Sequence, residues 1–269
     1  MEGENRDQSS TAIEIRGLSK EFGGYKAVDD ISLSVQAGEI FGFLGPNGAG
    51  KTTTIKMLAG ILKPDCGSIM IKGIDLSRHP TQCKQITGYI PDRPYLYEKL
   101  TGLEFLRFVA SLYKLPEKMF HARTGSFLEI FDLADWGRHL IESYSHGMRQ
   151  KLIMTAAFML DPPVIIVDEP MVGLDPKSAK IVKELFRKHA SEGKTVFLST
   201  HSLEIAEELC DRIAIILQGR IRTSGDLASL KREAHLEDSD LEEVFLELTG
   251  AVELNAIIAA LRSEKREGV

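Results

Sequence analysis

The sequence predicts an α/β fold built on a mainly parallel sheet, and three observations support this fold class. Val164–Asp168 is an apolar run of the kind that forms a parallel strand covered on both faces. From there to Leu217, strand-like segments alternate with helix-like segments. A glycine-rich segment, residues 45–53, joins the apolar run Ile40–Leu44 to a segment that can open a helix. We therefore expect an α/β core with right-handed crossover connections.

A second, antiparallel sheet is expected beside the glycine-rich segment. Residues 12–16, 31–35 and 68–72 alternate apolar and polar side chains, which is typical of strands with one buried face. The apolar segment 213–217 and residues 220–222 flank Gln218–Gly219 and predict a hairpin.

Residues 84–160 predict a helical insertion within this sheet domain. Their apolar residues recur at helical spacing, and Thr101–Glu104 has the pattern of a capping box. We expect the helix that it opens to end at Leu115, because Pro116 disfavours helical geometry in the residue before it.

The domain organisation follows from these segments. We expect one domain over residues 12–226, a flexible N-terminus over residues 1–11 and a helical extension over residues 227–269. In the extension, Ser239–Glu242 predicts a second capping box, Gly250 a helix end, and residues 251–267 a further helix.

The composition limits the classes of function. A net charge of −6 argues against a nucleic-acid backbone as the main partner. The three scattered cysteines have no metal-ligand spacing and indicate reduced thiols in a cytosolic protein. No apolar run approaches the ~18 residues of a membrane helix. We therefore do not expect the chain to cross a membrane by itself.

The glycine-rich segment carries the strongest functional signal, because it matches the phosphate-binding pattern G-x-x-x-x-G-K-[ST] between a strand and a helix. Its residues are Gly45, Pro46, Asn47, Gly48, Ala49, Gly50, Lys51, Thr52 and Thr53. Glycines let backbone N–H groups surround an anion, and the following helix directs its positive end toward it. We expect Lys51 to reach the β- and γ-phosphates of a nucleotide and the Thr52 hydroxyl to bind Mg²⁺.

Asp168 and Glu169 end the apolar strand, where open α/β sheets bind ligands. Such a pair alone is usually a turn or a helix cap. Behind a phosphate loop, we expect Asp168 to hold Mg²⁺ through water and Glu169 to orient and polarise the attacking water.

A second anion-binding helix start is predicted at Tyr144–Gln150. Ser145 can cap a helix there, and Gly147 leaves backbone N–H groups open. Taken alone, this stretch would be an ordinary N-cap, since one nucleotide does not need two such sites from the same chain.

Together these motifs resemble those of the nucleotide-binding subunit of an ATP-binding-cassette (ABC) transporter over residues 12–226. Residues 45–53 match Walker A and Val164–Glu169 Walker B, and Tyr144–Met148 stands where the family has its signature. Gly173–Asp175 matches the D-loop, and Thr200–His201 the switch histidine. The resemblance implies a P-loop NTPase (RecA-like) core with an antiparallel β subdomain and a helical insertion.

The resemblance also implies how the residues act. Two cassettes pack head to tail, a homodimer being expected, and each ATP lies between one chain's Walker motifs and the other's signature. Ser145 and Gly147 would contact the γ-phosphate of the partner's ATP, and Asp175 would line the dimer seam. His201 would touch the γ-phosphate in its own chain. An aromatic residue usually stacks on adenine, for which Phe22 is expected and Tyr25 competes.

Some residues depart from the family pattern. Asp92 stands where the family has a glutamine, and we expect its carboxylate to bind Mg²⁺ or a water of the metal. His146 and Met148 replace a glycine and a glutamine of the signature, which resembles cassettes of ABC-2 type exporters. The tail over residues 241–250 resembles the ending of that class.

The resemblance implies an ATPase at the cytoplasmic face of a membrane that drives export through separate membrane-spanning subunits. Two alternatives stay open: an ABC ATPase that acts on ribosomes or DNA, and a regulatory cassette that binds ATP without hydrolysing it, which Asp92 would favour. Tyr95 and Tyr97 lie where the family receives its membrane subunit, and they are either buried under the helical insertion or exposed for that partner.

Overall fold

The computed structural model describes residues 11–237 and 239–249. The strands are β1 (Thr11–Phe22), β2 (Tyr25–Gln36), β3 (Ile40–Leu44), β4 (Cys66–Ile71), β5 (Ile74–Asp75), β6 (Thr87–Ile90), β7 (Val164–Asp168), β8 (Thr195–Thr200), β9 (Arg212–Leu217) and β10 (Arg220–Gly225). The helices are α1 (Lys51–Leu58), α2 (Pro80–Gln85), α3 (Gly102–Leu112), α4 (Glu117–Ile130), α5 (His146–Leu160), α6 (Pro176–Ser191), α7 (Leu203–Leu209), α8 (Leu227–Glu233) and α9 (Leu241–Thr249), with one 3-10 turn at Ile141–Ser143.

The main sheet has six strands in the order β10-β9-β3-β8-β7-β6. Its strands pair in parallel from β9 to β6, and β10 adds an antiparallel edge through the predicted hairpin. Every residue of β3, β7 and β8 is buried, as their apolar sequences predict. The α/β core expected from the sequence is thereby confirmed.

The second sheet, in the order β2-β1-β4-β5, is antiparallel throughout and confirms the expected small sheet. Its buried side chains share one apolar core with the main sheet and α1. Within that core, the ring of Phe197 in β8 lies 5.6 Å between centroids from both Phe41 and Phe43 in β3. These ring contacts join the two neighbouring strands of the main sheet, one of which leads into the phosphate loop.

The helical region starts later than the sequence predicts. Thr87–Ile90, inside the stretch assigned to the insertion, forms an edge strand of the main sheet by parallel pairing with β7. The capping box at Thr101 is present in full, but α3 ends at Leu112 rather than Leu115. Lys114 adopts a left-handed φ of 55°, which stops the helix before Pro116 is reached.

The C-terminal extension packs on the main sheet through α8 and α9. Leu230, Leu241 and Val244 are fully buried in a cluster with Ile213 and Ile215 of β9. The predicted capping box at Ser239 is wrong by one residue. Asp240 is the cap instead, and its carboxylate accepts a hydrogen bond of 3.0 Å from the Glu243 amide.

Other expectations fall on the chain ends. The predicted helix end at Gly250 and the helix at 251–267 lie outside the described residues, as does the predicted flexible N-terminus apart from Thr11, which begins β1. Among the helices that the structure describes, none combines the length and the apolar character required to span a bilayer.

Candidate functional site

The phosphate loop connects β3 to α1 and can hold this shape only with glycines. Gly50 has a φ of 106°, and a Cβ atom there would lie 2.4 Å from the Ala27 carbonyl oxygen. A Cβ atom on Gly45 would lie 2.4 Å from the carbonyl oxygen of Ile216. Both distances are far below a van der Waals contact, so the flanking strands press directly on the loop backbone. The predicted loop is therefore found as a tightly packed turn between strand and helix.

The Lys51 side chain is buried and is held by hydrogen bonds to the backbone of this loop. The residue is 6% exposed, and its ammonium donates hydrogen bonds to the carbonyl oxygens of Gly45, at 2.7 Å, and Pro46, at 3.3 Å. Its Nζ also lies 3.9 Å from Oε1 of Glu169. Burial lowers the pKa of Lys51, whereas the carboxylates of Glu169 and Asp168 oppose that effect. The loop thus holds a positive charge beside the acidic end of β7.

The two acidic residues at the end of β7 differ in their surroundings: the carboxylate of Asp168 is buried, and that of Glu169 faces a cavity. Asp168 is 2% exposed and accepts a hydrogen bond from the Ser199 hydroxyl of the adjacent strand. Glu169 has a left-handed φ of 51° and turns its side chain toward His201, whose Nδ1 lies 2.8 Å from Oε1. The Thr200 hydroxyl donates to the other carboxylate oxygen at 3.4 Å. A strained backbone at this position is common at functional sites.

These groups meet in one cavity of about 410 Å³ at the carboxyl end of the main sheet. Its lining residues are Tyr25, Ala27, Pro46, Asn47, Gly48, Gly50, Lys51, Thr52, Thr53, Asp92, Glu169, Val172 and His201. The cavity brings together four segments that the sequence singled out separately: the phosphate loop, Asp92, Glu169 and His201. Gly45, Ala49 and Asp168 are buried and do not line the cavity.

The aromatic residue at this cavity is Tyr25, not Phe22. Tyr25 opens β2, the strand whose Ala27 touches the phosphate loop, and it is 61% exposed. Phe22 closes β1, does not line the cavity, and has the Lys20 ammonium 5.5 Å from its ring centroid. Which ring stacks on adenine stays a prediction, and the lining of the cavity favours the competing candidate Tyr25 over Phe22.

Ser145, Gly147 and Asp175 lie outside this cavity. Ser145 caps α5 by accepting a hydrogen bond of 3.3 Å from the Met148 amide. Asp175 caps α6. Hydrogen bonds from Ser178, and to a smaller extent one from the Lys151 ammonium, hold the pKa of the Asp175 carboxyl well below its usual range. One chain therefore carries two separate groups of candidate site residues.

The chemistry of the oxygen donors suits Mg²⁺. Thr52 and Asp92 line the cavity, and Asp168 is buried at the end of β7, next to the cavity-lining Glu169. Hydroxyl and carboxylate oxygens are ligands that Mg²⁺ prefers, and the ion commonly takes its other ligands from water and substrate phosphates. Within residues 11–237 and 239–249, no three His, Cys, Asp or Glu side chains form a metal cluster by themselves.

Sequence reasoning missed several contributors. Ala27 and Val172 line the cavity, and Ser199 holds Asp168. Ser199 lies in one of the strand-like segments that follow Val164–Asp168, and its local sequence predicts no further role. Its role depends on the parallel register that sets it opposite Asp168, and a polar residue within an apolar strand was the available signal.

A phosphate loop, a buried aspartate and an accessible glutamate at the carboxyl end of a parallel sheet define a P-loop nucleotide hydrolase. The family model described as "ABC transporter" matches residues 28–172. The daunorubicin resistance ATP-binding protein DrrA3 of Streptomyces coeruleorubidus is 38% identical over 94% of this chain and 78% of its own length. The chain belongs to the ABC transporter family, as an ATP-binding subunit with ATPase activity.

Two further likenesses agree with that assignment. A solved structure of an ATP-binding subunit of an ABC transporter is 36% identical, with a TM-score of 0.86, and covers 89% of this chain and 100% of its own. The probable multidrug ABC transporter ATP-binding protein YbhF of Escherichia coli is 34% identical over 88% of this chain. The alignment spans 42% of YbhF, so that relative is more than twice as long as the shared region.

Proposed function

We propose that this chain hydrolyses ATP as one half of a head-to-tail dimer and drives export through separate membrane-spanning subunits. The single observation that carries the proposal is the cavity in which Lys51, Glu169 and His201 meet. A triphosphate at the loop would place its terminal phosphate among a buried cation, a carboxylate and an imidazole. This set suits in-line attack of water on a phosphate.

Each side chain has a defined task in that reaction. Lys51 neutralises charge on the β- and γ-phosphates, together with the loop amides. Glu169 orients the attacking water, and His201, which already holds that carboxylate, contacts the γ-phosphate. Thr52, Asp92 and Asp168 would hold Mg²⁺, directly or through water. When bound, the ion supplies further neutralisation of the phosphate charge.

The proposed dimer accounts for the residues outside the cavity. Ser145 and Gly147 open a helix of 15 residues, whose free amides and positive end suit a phosphate. They do not line the cavity of their own chain, so a γ-phosphate from a second chain is the ligand that fits them. Asp175 lies on the same face and would border the seam between the two chains.

The proposed membrane partner has a candidate docking surface near the cavity. Tyr95 is 90% exposed and Tyr97 61% exposed, and Tyr97 contacts Phe108 with 5.6 Å between ring centroids. Tyr97 and Phe108 line an apolar groove together with Leu100 and Lys99, and Tyr95 precedes this groove in the chain without lining it. We place the chain peripherally at the cytoplasmic face of the membrane. Export is favoured because relatives are named for drug resistance and Nod factor export.

The test is phosphate release from ATP by the purified chain in the presence of Mg²⁺. Lys51→Ala should lower the turnover by about 100-fold or more, because it removes a preorganised cation at the developing charge. Lys56→Ala is the matched control, since Lys56 is an exposed lysine on the same helix. A wild-type chain that binds ATP without releasing phosphate would instead identify a regulatory cassette.

A further inference from the structure

The start of α5 is in direct contact with the segment Gly173–Asp175. This segment is the last part of the connection between β7 and α6. A Cβ atom added to Gly173 would lie 2.4 Å from Cδ2 and 2.8 Å from Nε2 of His146. The imidazole edge of His146 therefore lies on the Gly173 backbone, which itself has a φ of 78°. Only glycine satisfies both the conformation and the space that this ring leaves.

Two more contacts join the same elements. A Cβ atom on Gly147 would lie 2.8 Å from the Gly173 carbonyl oxygen, so the two backbones also touch there. Lys151, one helical turn after Gly147, has its Nζ 3.0 Å from Oδ2 of Asp175, and its side chain is 13% exposed. The first turns of α5 therefore contact both ends of the Gly173–Asp175 loop.

The loop is also connected to the cavity of its own chain. The Val172 amide donates to the Glu169 carbonyl oxygen at 3.4 Å, and both residues line the cavity. Gly173 follows Val172 directly. The contacts of Gly173 therefore lie one residue from the wall of the cavity that holds Lys51 and Glu169.

We propose that His146 is a positioning residue that fixes the Gly173–Asp175 loop to the start of α5. Ser145 and Gly147, which flank His146, would then transmit their engagement with the partner's ATP to Val172 and Glu169 at the chain's own ATP. The inference rests on the proposed function, because it links two nucleotide sites. A glycine at position 146, as in the signature that this segment resembles, could not make the ring contact.

The expected consequence is a change in turnover and cooperativity without a change in nucleotide affinity. ATP binds in the cavity, which His146 does not line. His146→Ala should therefore leave the dissociation constant of ATP for the isolated chain within about twofold. It should lower kcat about fivefold and bring the Hill coefficient for ATP hydrolysis close to one, because the two sites lose a coupling contact. His146→Phe, which keeps a ring of similar shape, should restore at least half of the loss.

The contact itself is tested by a double-mutant cycle. Gly173→Ala introduces both backbone strain and a clash with the ring, and should lower kcat about tenfold or more. Gly193→Ala is the matched control, because Gly193 has a φ of 79° but no atom within 4 Å of an added Cβ. It should leave kcat within about twofold. Combining Gly173→Ala with His146→Ala should bring kcat to within about twofold of His146→Ala alone, because the clash with the ring is removed while the backbone strain at position 173 remains.

The outcomes separate the two proposals. A wild-type chain without ATPase activity would overturn the proposed function and this inference with it. A wild-type chain that hydrolyses ATP, with His146→Ala unchanged in kcat and Hill coefficient, would overturn the positioning role alone. The same holds if the double variant stays as impaired as Gly173→Ala. If thermal melting shows that Gly173→Ala does not fold, the positioning role is tested by the kcat and Hill coefficient of His146→Ala and His146→Phe. Equal values for these two variants would overturn it.

Discussion

Nδ1 of His201 lies 2.8 Å from Oε1 of Glu169, and the same carboxylate oxygen lies 3.9 Å from Nζ of Lys51. A carboxylate, an imidazole and an ammonium group are therefore held together. They come from three separate places in the chain: Glu169 follows β7, His201 follows β8, and Lys51 begins α1. The side chains of Lys51 and Glu169 are 7% and 15% exposed, so solvent screens that pair weakly, whereas the His201 side chain is 56% exposed.

Glu169→Gln should bind ATP and fail to hydrolyse it. An amide does not polarise water as a carboxylate does, so turnover should fall by about 100-fold or more. Removing one negative charge should also favour closure of two chains on ATP. Size-exclusion chromatography with ATP and Mg²⁺ should then show a stable dimer. A monomer at high protein concentration, with ATP bound, would count against the head-to-tail arrangement.

Tyr25→Ala should weaken ATP binding, and Phe22→Ala should not. Only Tyr25 lines the cavity, and stacking of a base on an aromatic ring contributes about 1–3 kcal/mol. The dissociation constant, measured by titration with a fluorescent ATP analogue, should rise about tenfold for Tyr25→Ala. Phe22→Ala is the matched control, because both rings are exposed and adjacent in the same hairpin. The reverse order of effects would restore the sequence-based preference for Phe22.

Asp92→Asn should alter the metal dependence more than the ATP affinity. Asp92 lines the cavity together with residues of the phosphate loop, and an amide is a weaker ligand for a hard cation than a carboxylate. The Mg²⁺ concentration required for half-maximal phosphate release should rise severalfold, with ATP binding nearly unchanged. An identical Mg²⁺ titration for both proteins would leave Asp92 as a loop residue without a role at the metal.

Tyr95→Ala and Tyr97→Ala should separate docking from catalysis. Exposed side chains contribute little to stability, so both variants should unfold within about 0.5 kcal/mol of the wild type and still hydrolyse ATP. Binding to washed membranes of the source cells should be lost, with the membrane subunit identified by crosslinking. Ile61→Ala is the control, since Ile61 is 59% exposed on another surface. Loss of stability and ATPase activity with retained binding would place the docking surface elsewhere.

His189 should make the folded chain less stable as the pH falls from 7 to 5. Burial, and secondarily Lys194, lowers the pKa of His189 to about 4, although Asp161 and Glu192 act in the opposite direction. The unfolded chain takes up a proton near pH 6.5, and the folded chain does so only near pH 4, so the unfolded state gains free energy from protonation in that window. This group alone should lower the free energy of unfolding by about 2 kcal/mol between pH 7 and pH 5.

His189→Leu should remove that part of the pH dependence. In the described part of the chain, Nε2 of His189 is buried without a hydrogen-bond partner, while the ring also has a hydrogen bond with the Pro162 backbone. A leucine removes the titrating group and the unpartnered nitrogen, at the cost of the bond to Pro162. Urea denaturation of both proteins at pH 7 and pH 5 measures the effect. An equal decrease in the two proteins would show that His189 titrates alike in the folded and unfolded states.

Much of the fold is a local property, and the sequence by itself determined that part. The phosphate loop is contiguous, so its glycines, Lys51 and the flanking strand and helix are all visible in one short segment. The capping box at Thr101 needs only Glu104 three residues later, and both of its hydrogen bonds are present. The apolar run of β7 likewise predicts a buried parallel strand, because burial on both faces leaves no polar alternation.

Only the tertiary structure decided which of these segments meet. Asp168 is paired with Ser199 because β7 and β8 are neighbours in register, although 31 positions separate the two residues. Tyr25 lines the cavity because β2 passes the loop, and Thr87–Ile90 joins the main sheet because it pairs with β7. Strand order and register depend on contacts between distant segments, which local propensity and side-chain periodicity do not encode.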